Sequence, residues 1–325
     1  DIDCSATTGW NSGAGFEPVG NNATPFTGSL DGQGHKIINL FIDRPSEDYV
    51  GLFGKVQESS ISNITIQGGS VSGQNNVGSL IGVANSATLS GIYSNSTINA
   101  NRYGGGVIGW TQSASVTSLT NVHFSGEVVG LANYGFAGLI ADNDADATIT
   151  TSSNTGSISG DDGADYVGGL VGDSDAILTI TNSFNSGAIS SKGNACCVAG
   201  ISGWNATTHL TNVYNTGSVV GHDSVGGLLG YVETATIEDS YSSGAVTGTD
   251  ATSTGALIGE FGEETMTNTY WNNETSAQTT PCGSGYSCEE PISLTSAQMR
   301  TQSTYTGTLD FEKFWGMCEY FNNGF

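Results

Sequence analysis

Two clusters of aspartate carry the most concentrated chemistry in the sequence: Asp142, Asp144 and Asp146 in "DNDAD", and Asp173 and Asp175 in "DSD". Carboxylates at alternate positions are hard oxygen ligands, suited to a divalent cation such as calcium. "DNDAD" opens like a helix-flanked calcium loop, but Ala147 stands where that loop needs glycine and Ser153 where it closes on glutamate, so that motif is excluded. A shallow site spread over two segments remains open. Calcium is the cofactor these five residues would admit, and nothing else in the chain requires one. The same groups also read as solvated acidic turns, as does the run Asp161, Asp162 and Asp165.

Other reactive side chains are scattered. His35, His123, His209 and His222 fall in different parts of the chain without metal-ligand spacing, no serine has a nucleophile-elbow context, and "DGQGH" lacks the helix a phosphate loop needs. Paired carboxylates could serve a polysaccharide hydrolase, whereas basic groups are too few for a lyase. No catalytic residue is assigned. Trp110 and Trp204 could stack on sugars, but not from adjacent repeats. Five N-x-S/T sequons, at Asn22, Asn63, Asn95, Asn205 and Asn273, are glycosylation candidates. Of six cysteines, Cys282 and Cys288 flank a glycine-rich loop short enough for a disulfide, while Cys196 and Cys197 could bond each other, reach Cys318 or link chains, and Cys4 is unassigned.

These groups sit in a soluble, strongly acidic chain. Seven Lys plus Arg against 31 Asp plus Glu give a net charge of -24, which repels nucleic acid and anionic membranes. No apolar run is long enough for membrane insertion. The 48 glycines and five prolines disfavour long helices, and disulfide-capable cysteines favour an extracellular setting. The opening "DIDCSATTGW" carries no signal peptide and reads as a processed or excised piece, so secretion is not excluded.

What positions the residues is a repeat. "DYVGLFGKV" returns as "NNVGSLIGV", "RYGGGVIGW", "YGFAGLIAD", "DYVGGLVGD", "CCVAGISGW", "DSVGGLLGY" and "TSTGALIGE", with the final slot at 54, 82, 109, 141, 172, 203, 230 and 259. Each repeat contains two further short apolar runs, such as "TIEDSYS" and "SGAVTG". Three β-rich pieces in about 30 residues without helical periodicity predict one turn of a β-solenoid. Stacking in register then predicts columns. One is inward: Val71, Ile98, Val128, Ile158, Ile189, Val219 and Val246. A second is mostly aromatic: Tyr93, His123, Ser153, Phe184, Tyr214, Tyr241 and Tyr270. A third, Asn121, Asn182, Asn212 and Asn268, would form an amide ladder. The repeat glycines let the chain bend and neighbouring coils approach.

The expected fold is a right-handed parallel β-helix of about ten coils with a C-terminal capping segment. Residues 1–47 form N-terminal coils, with a strand from Lys36 to Ile42 and no cap at "DIDCS"; 48–272 hold the eight repeats; 273–325 form the cap. The cap would contain a short helix begun by a Thr295–Gln298 capping box, the disulfide loop, and an apolar cluster of Phe311, Phe314, Trp315, Met317, Tyr320 and Phe321.

With "WNSGAGFEPVGN", "PFTGSLDGQGHKIINLFI", "DYVGLFG", the recurring "VGGLVG", and an ending that runs from "YWNNETSAQTT" to "LTSAQMRTQSTYTGTLDFEKFWGM", the chain resembles the GLUG-repeat family of secreted and cell-surface proteins. The resemblance implies a right-handed parallel β-helix within a large adhesin-like or surface-layer protein, and no catalytic residues. Ala141 in place of the last glycine and the Cys196–Cys197 pair depart from the pattern. The expectation is a non-enzymatic rod of an extracellular surface protein, adhesin or filament, with itself, other surface proteins or glycans as its candidate partners. The alternative is a carbohydrate-binding or polysaccharide-cleaving β-helix.

Overall fold

The computed structural model describes residues 1–325 except 113–115, 133, 162, 285–287, 289–290, 306–307 and 310–325. The chain winds into a β-solenoid of about eight turns in which every strand pairing between coils is parallel. Two sheets face each other. In one repeat, Val219–Gly221 and Val225–Gly226 belong to the smaller sheet, and Leu229–Glu238 and Tyr241–Ser242 to the larger. The three pieces expected in each repeat are thus distributed differently. The glycine-rich run is not one strand but a corner joining the sheets, and its second half merges with the following run into a single long strand.

Glycine makes that corner possible. A Cβ on Gly169 would stand 2.0 Å from the carbonyl oxygen of Gly200, and one on Gly200 would stand 2.3 Å from that of Gly227. Side chains are excluded because each coil's corner rests on the backbone of the next. The repeat slot has the same property: a Cβ on Gly203 would meet Gly172 O at 2.6 Å, and one on Gly230 would meet Gly203 O at 2.5 Å. The contact continues beyond the eight repeats, since Gly54 meets Gly20 O and Gly283 meets Gly259 O, both at 2.5 Å.

Between the sheets runs one continuous apolar core. The inward column from Val71 to Val246 is formed rung by rung, and all seven residues are buried. The aromatic column is also in register, from Tyr93 to Tyr270. Phe184, Tyr214 and Tyr241 stack nearly parallel, with centroids 4.9 and 5.1 Å apart.

The asparagine column is only partly a ladder. Asn121, Asn182, Asn212 and Asn268 all adopt positive φ at a turn. Asn212 Nδ2 donates to Asn182 Oδ1 at 3.1 Å, but Asn268 donates to Asp239 and Asn121 to Tyr93. A buried ladder lies elsewhere: Asn154 Nδ2 donates to Asn185 Oδ1, and Asn185 Nδ2 to Asn215 Oδ1, each at 2.8 Å.

The ends explain why the turns number about eight rather than ten. Residues 1–28 make a coil attached mainly by Ile2–Asp3 and by isolated bridges at Gly15, Val19 and Phe26. That coil is not a bare edge: Cys4, Phe16 and Phe26 pack half-buried against the core. The next coil has two strands, Ser29–Ile38 and Phe41–Arg44, rather than one from Lys36 to Ile42, because Asn39 turns the chain at positive φ. At the other end Cys282–Ser284 and Ile292–Leu294 add only to the larger sheet. The capping box forms, with Thr295 Oγ1 accepting from Gln298 N and Gln298 Oε1 accepting from Thr295 N. Met299, Tyr305 and Leu309 then cover Tyr241 and Tyr270. The cluster expected from Phe311 to Phe321 lies outside the described residues, as does Cys318.

Candidate functional site

One column of side chains, Val83, Trp110, Asp142, Asp173, Trp204, Tyr231 and Glu260, occupies successive rungs of the larger sheet. Their inward neighbours Thr111, Asn143 and Ser174 are buried and bonded in series, Thr111 Oγ1 to Asn143 Oδ1 at 2.6 Å and Asn143 Nδ2 to Ser174 Oγ at 3.0 Å. This polar spine fixes the rungs that carry Asp142 and Asp173.

Beside the acids, the residues just before the small-sheet rung Val77, Gly104, Phe136 and Val167 form a wall. Phe136 pairs with Gly104 and with Val167, which puts Gly135 in the slot held by Tyr103 one coil earlier and Tyr166 one coil later. Gly135 has no side chain there, and a Cβ on it would lie 3.6 Å from Asp173 Cβ. Next to this wall lies a cleft of about 350 Å³ lined by Asn76, Tyr103, Trp110, Asp142, Asp144, Asp173 and Asp175. Tyr134 continues the aromatic wall, 5.2 Å from Tyr103 and with the Arg102 guanidinium 4.0 Å over its ring.

Burial sets the electrostatics. Asp142 is 8% exposed, and desolvation, reinforced by Asp144, Asp173 and Asp175, pushes its carboxyl up to about 9. Asp173 is pushed up to about 7, by burial first and then by Asp175 and Asp144. Asp144 is also raised by burial, against the lowering influence of the Trp110 indole and of Asp142. Tyr103 is raised by burial and by the neighbouring acids. At neutral pH Asp142 therefore holds its proton and can donate a hydrogen bond.

Four of the five aspartates singled out in the sequence thus meet at one cleft. Asp146 does not: it is exposed, and its Oδ1 accepts from Ile177 N at 3.2 Å. Among the described residues no three acidic, imidazole or thiol side chains converge as a ready-made cation set. Trp110 and Trp204 share the column but are separated by the two acids, and Trp204 stacks instead on Tyr231 at 6.0 Å. Asn76, Tyr103 and the opening at Gly135 were not evident from the sequence. Their signal is the position just before the shared rung of Val77, Gly104, Phe136 and Val167, which is visible only once the register is known.

The remaining candidates stand apart. Asn22, Asn63, Asn95 and Asn273 are exposed. Asn205 is buried, with Oδ1 accepting from Ser202 Oγ at 2.7 Å, and its sequon is closed in the folded chain. Cys282 and Cys288 are joined, and Cys196 bonds its neighbour Cys197. His123 packs in the aromatic column against Tyr93, bonded to Ser153 and Asn121. Asp161 pairs with Lys192, while Asp162 lies outside the described residues.

Residues 221–247, one full repeat, match the family described as Glug, the GLUG motif. The chain is 47% identical to halomucin of Haloquadratum walsbyi over 122 residues, 36% of this chain and 1% of halomucin. It is 39% identical to a Gly-rich membrane protein of Evansella cellulosilytica over 69 residues, 21% of this chain and 8% of that protein. The chain therefore spans a small fraction of the curated relatives it matches. No solved structure matches it. Among the described residues no helix is long and apolar enough to cross a membrane. The recurring glycine-rich runs and stacked coils make the chain a β-solenoid, and residues 221–247 of it carry the GLUG motif.

Proposed function

We propose that the chain is a non-enzymatic structural module of an extracellular surface protein, a stiff rod within a longer polypeptide. The observation that carries this reading is the unbroken core, in which each coil's backbone seats on the next from Gly54 to Gly283. At the usual strand spacing, about eight turns span roughly 40 Å. A solenoid transmits load because its coils are joined by ladders of parallel hydrogen bonds, and its length scales with repeat number. Similarity to halomucin and to a Gly-rich membrane protein supports placement at the cell surface, as part of an adhesin, surface layer or filament.

Self-association belongs to the same proposal. Ile2, Trp10 and Val19 are 62%, 50% and 41% exposed on the first coil, an apolar face suited to a second copy stacked head to tail. Light scattering across a concentration series and electron microscopy test it; a strict monomer without fibres at high concentration would refute self-assembly. Reducing-end release on a panel of neutral and acidic polysaccharides tests the non-enzymatic reading. Turnover that Asp142→Asn abolishes would overturn it.

A further inference from the structure

We propose that the cleft between Trp110 and Asp173 is a binding site for a neutral sugar unit of a glycan. The reasoning begins with polar atoms that have no partner. Asn76 is 8% exposed, and its Oδ1 accepts no hydrogen bond among the described residues; neither does Asp173 Oδ1, and Trp110 Nε1, near enough to Asp144 to lower its carboxyl, forms no well-aligned hydrogen bond. All three residues line this one cleft. The wider groove of about 520 Å³ along Thr234–Thr236 and Phe261–Thr265 contains no such atom. Buried polar groups are nearly always satisfied, so a cluster of orphans on residues that line one cleft marks a place where something else supplies the bonds.

The kind of orphan decides the kind of ligand. Asn76 Oδ1 and Asp173 Oδ1 accept, whereas Trp110 Nε1 only donates. A divalent cation would answer the two acceptors and leave the indole N–H unmet, and the acids do not converge as a cation set. An anionic ligand would answer the indole but meet Asp144, Asp173 and Asp175 in a chain of net charge -24. A hydroxyl both donates and accepts, so adjacent sugar hydroxyls satisfy all three atoms. The flat apolar faces of Trp110 and Tyr103 suit the C–H faces of a pyranose, as pockets pair apolar walls with a few placed polar groups. This site goes beyond a rod: it gives one edge of the solenoid a ligand while the coils supply stiffness.

The test is titration of the purified chain, after chelator treatment, with maltohexaose, cellohexaose and mannohexaose, and with an oligogalacturonate of matched length. Binding is read by intrinsic tryptophan fluorescence and calorimetry. The expected result is saturable binding of at least one neutral hexaose, none of the uronate, and no reducing-end release. Trp110→Ala and Asn76→Gly should each weaken binding about tenfold or more; glycine suits the positive φ of 57° at Asn76. Trp110→Phe, which keeps a ring but removes the donor, should bind less tightly than the parent chain while melting at the same temperature, which separates loss of the site from loss of the fold. Failure of every neutral hexaose to saturate at 10 mM, or affinity unchanged in Trp110→Ala and Asn76→Gly, would overturn the site. Calcium binding at the cleft without sugar binding would replace it with a cation site.

Discussion

Asn154 Nδ2 donates to Asn185 Oδ1 at 2.8 Å across one coil boundary, with both side chains fully buried. Asn185 repeats the contact to Asn215 and also closes its own turn, donating to Gly187 O at 3.0 Å and accepting from Gly187 N at 3.2 Å. Replacing it by alanine takes one of two partners from the amide on either side and leaves both backbone groups of Gly187 without the side chain that pairs them. At about 1–3 kcal/mol for each buried group left unpaired, Asn185→Ala should cost at least about 3 kcal/mol. Asn212→Ala, at an exposed turn, should cost under about 1 kcal/mol. Urea unfolding of the two variants compares them directly, and equal midpoints would refute the distinction.

Gly169 tests the corner. A methyl there would sit 2.0 Å from Gly200 O and 2.6 Å from Asn185 Cγ, both fixed by adjacent coils. Gly169→Ala should destabilise the fold by about 3 kcal/mol or more, the range of overpacking in a rigid interior. Gly9→Ala, with nothing within 4 Å of its Cβ, should change stability by no more than about 0.5 kcal/mol. Thermal melts of both proteins provide the check.

The residues of the inward and aromatic columns were legible because in-register parallel stacking turns sequence spacing directly into position. Val128 lies on Ile98 and Phe184 on Tyr214 wherever the repeat alignment puts them. Direction and environment were less legible. Asn182 and Asn154 both recur at one per coil, and only the backbone distinguishes the exposed turn from the buried ladder; the local sign was the N-x-G of Asn154, Asn185 and Asn215. Asp144 and Asp146 look alike in "DNDAD", yet the strand Ile140–Asn143 ends between Asp142 and Asp144, so alternation no longer predicts where Asp146 goes. Two of the seven residues lining the cleft are Asn76 and Tyr103, 66 and 39 positions before Asp142, which no local pattern joins to it.

Cysteine chemistry should follow the geometry. Non-reducing peptide mapping is expected to find Cys196 joined to Cys197 and Cys282 joined to Cys288. Cys4 is a free thiol, raised by burial and then by Asp3. Because the thiolate is the nucleophile, Cys4 should alkylate more slowly at pH 8 in the folded chain than in urea. Recovery of Cys4 in a disulfide, or equal alkylation rates, would contradict this.

The raised carboxyls make stability depend on pH in a definite direction. In the unfolded chain Asp142 and Asp173 titrate near 3.8; in the fold they titrate near 9 and 7. Between these limits the native state binds more protons than the unfolded state, so their contribution is fully present below about pH 4 and is lost as pH rises, through 7 for Asp173 and through 9 for Asp142. Asn mimics the protonated acid: it is neutral and keeps a donor. Asp142→Asn should therefore leave the melting temperature at pH 4 nearly unchanged and raise it at pH 8. The open side of the cleft lets water relieve part of the penalty, so the gain should be on the order of 1–3 kcal/mol, a few degrees in midpoint. Asp173→Asn should show the smaller gain, growing from about pH 4 and complete by about pH 7. Melts from pH 4 to 9 at matched ionic strength and with chelator present isolate the effect from bound cations. Parallel curves for parent and variants would show that the two acids are as well solvated in the fold as outside it. A calcium-dependent rise that disappears in Asp142→Asn would instead assign the repulsion among these groups to holding an ion.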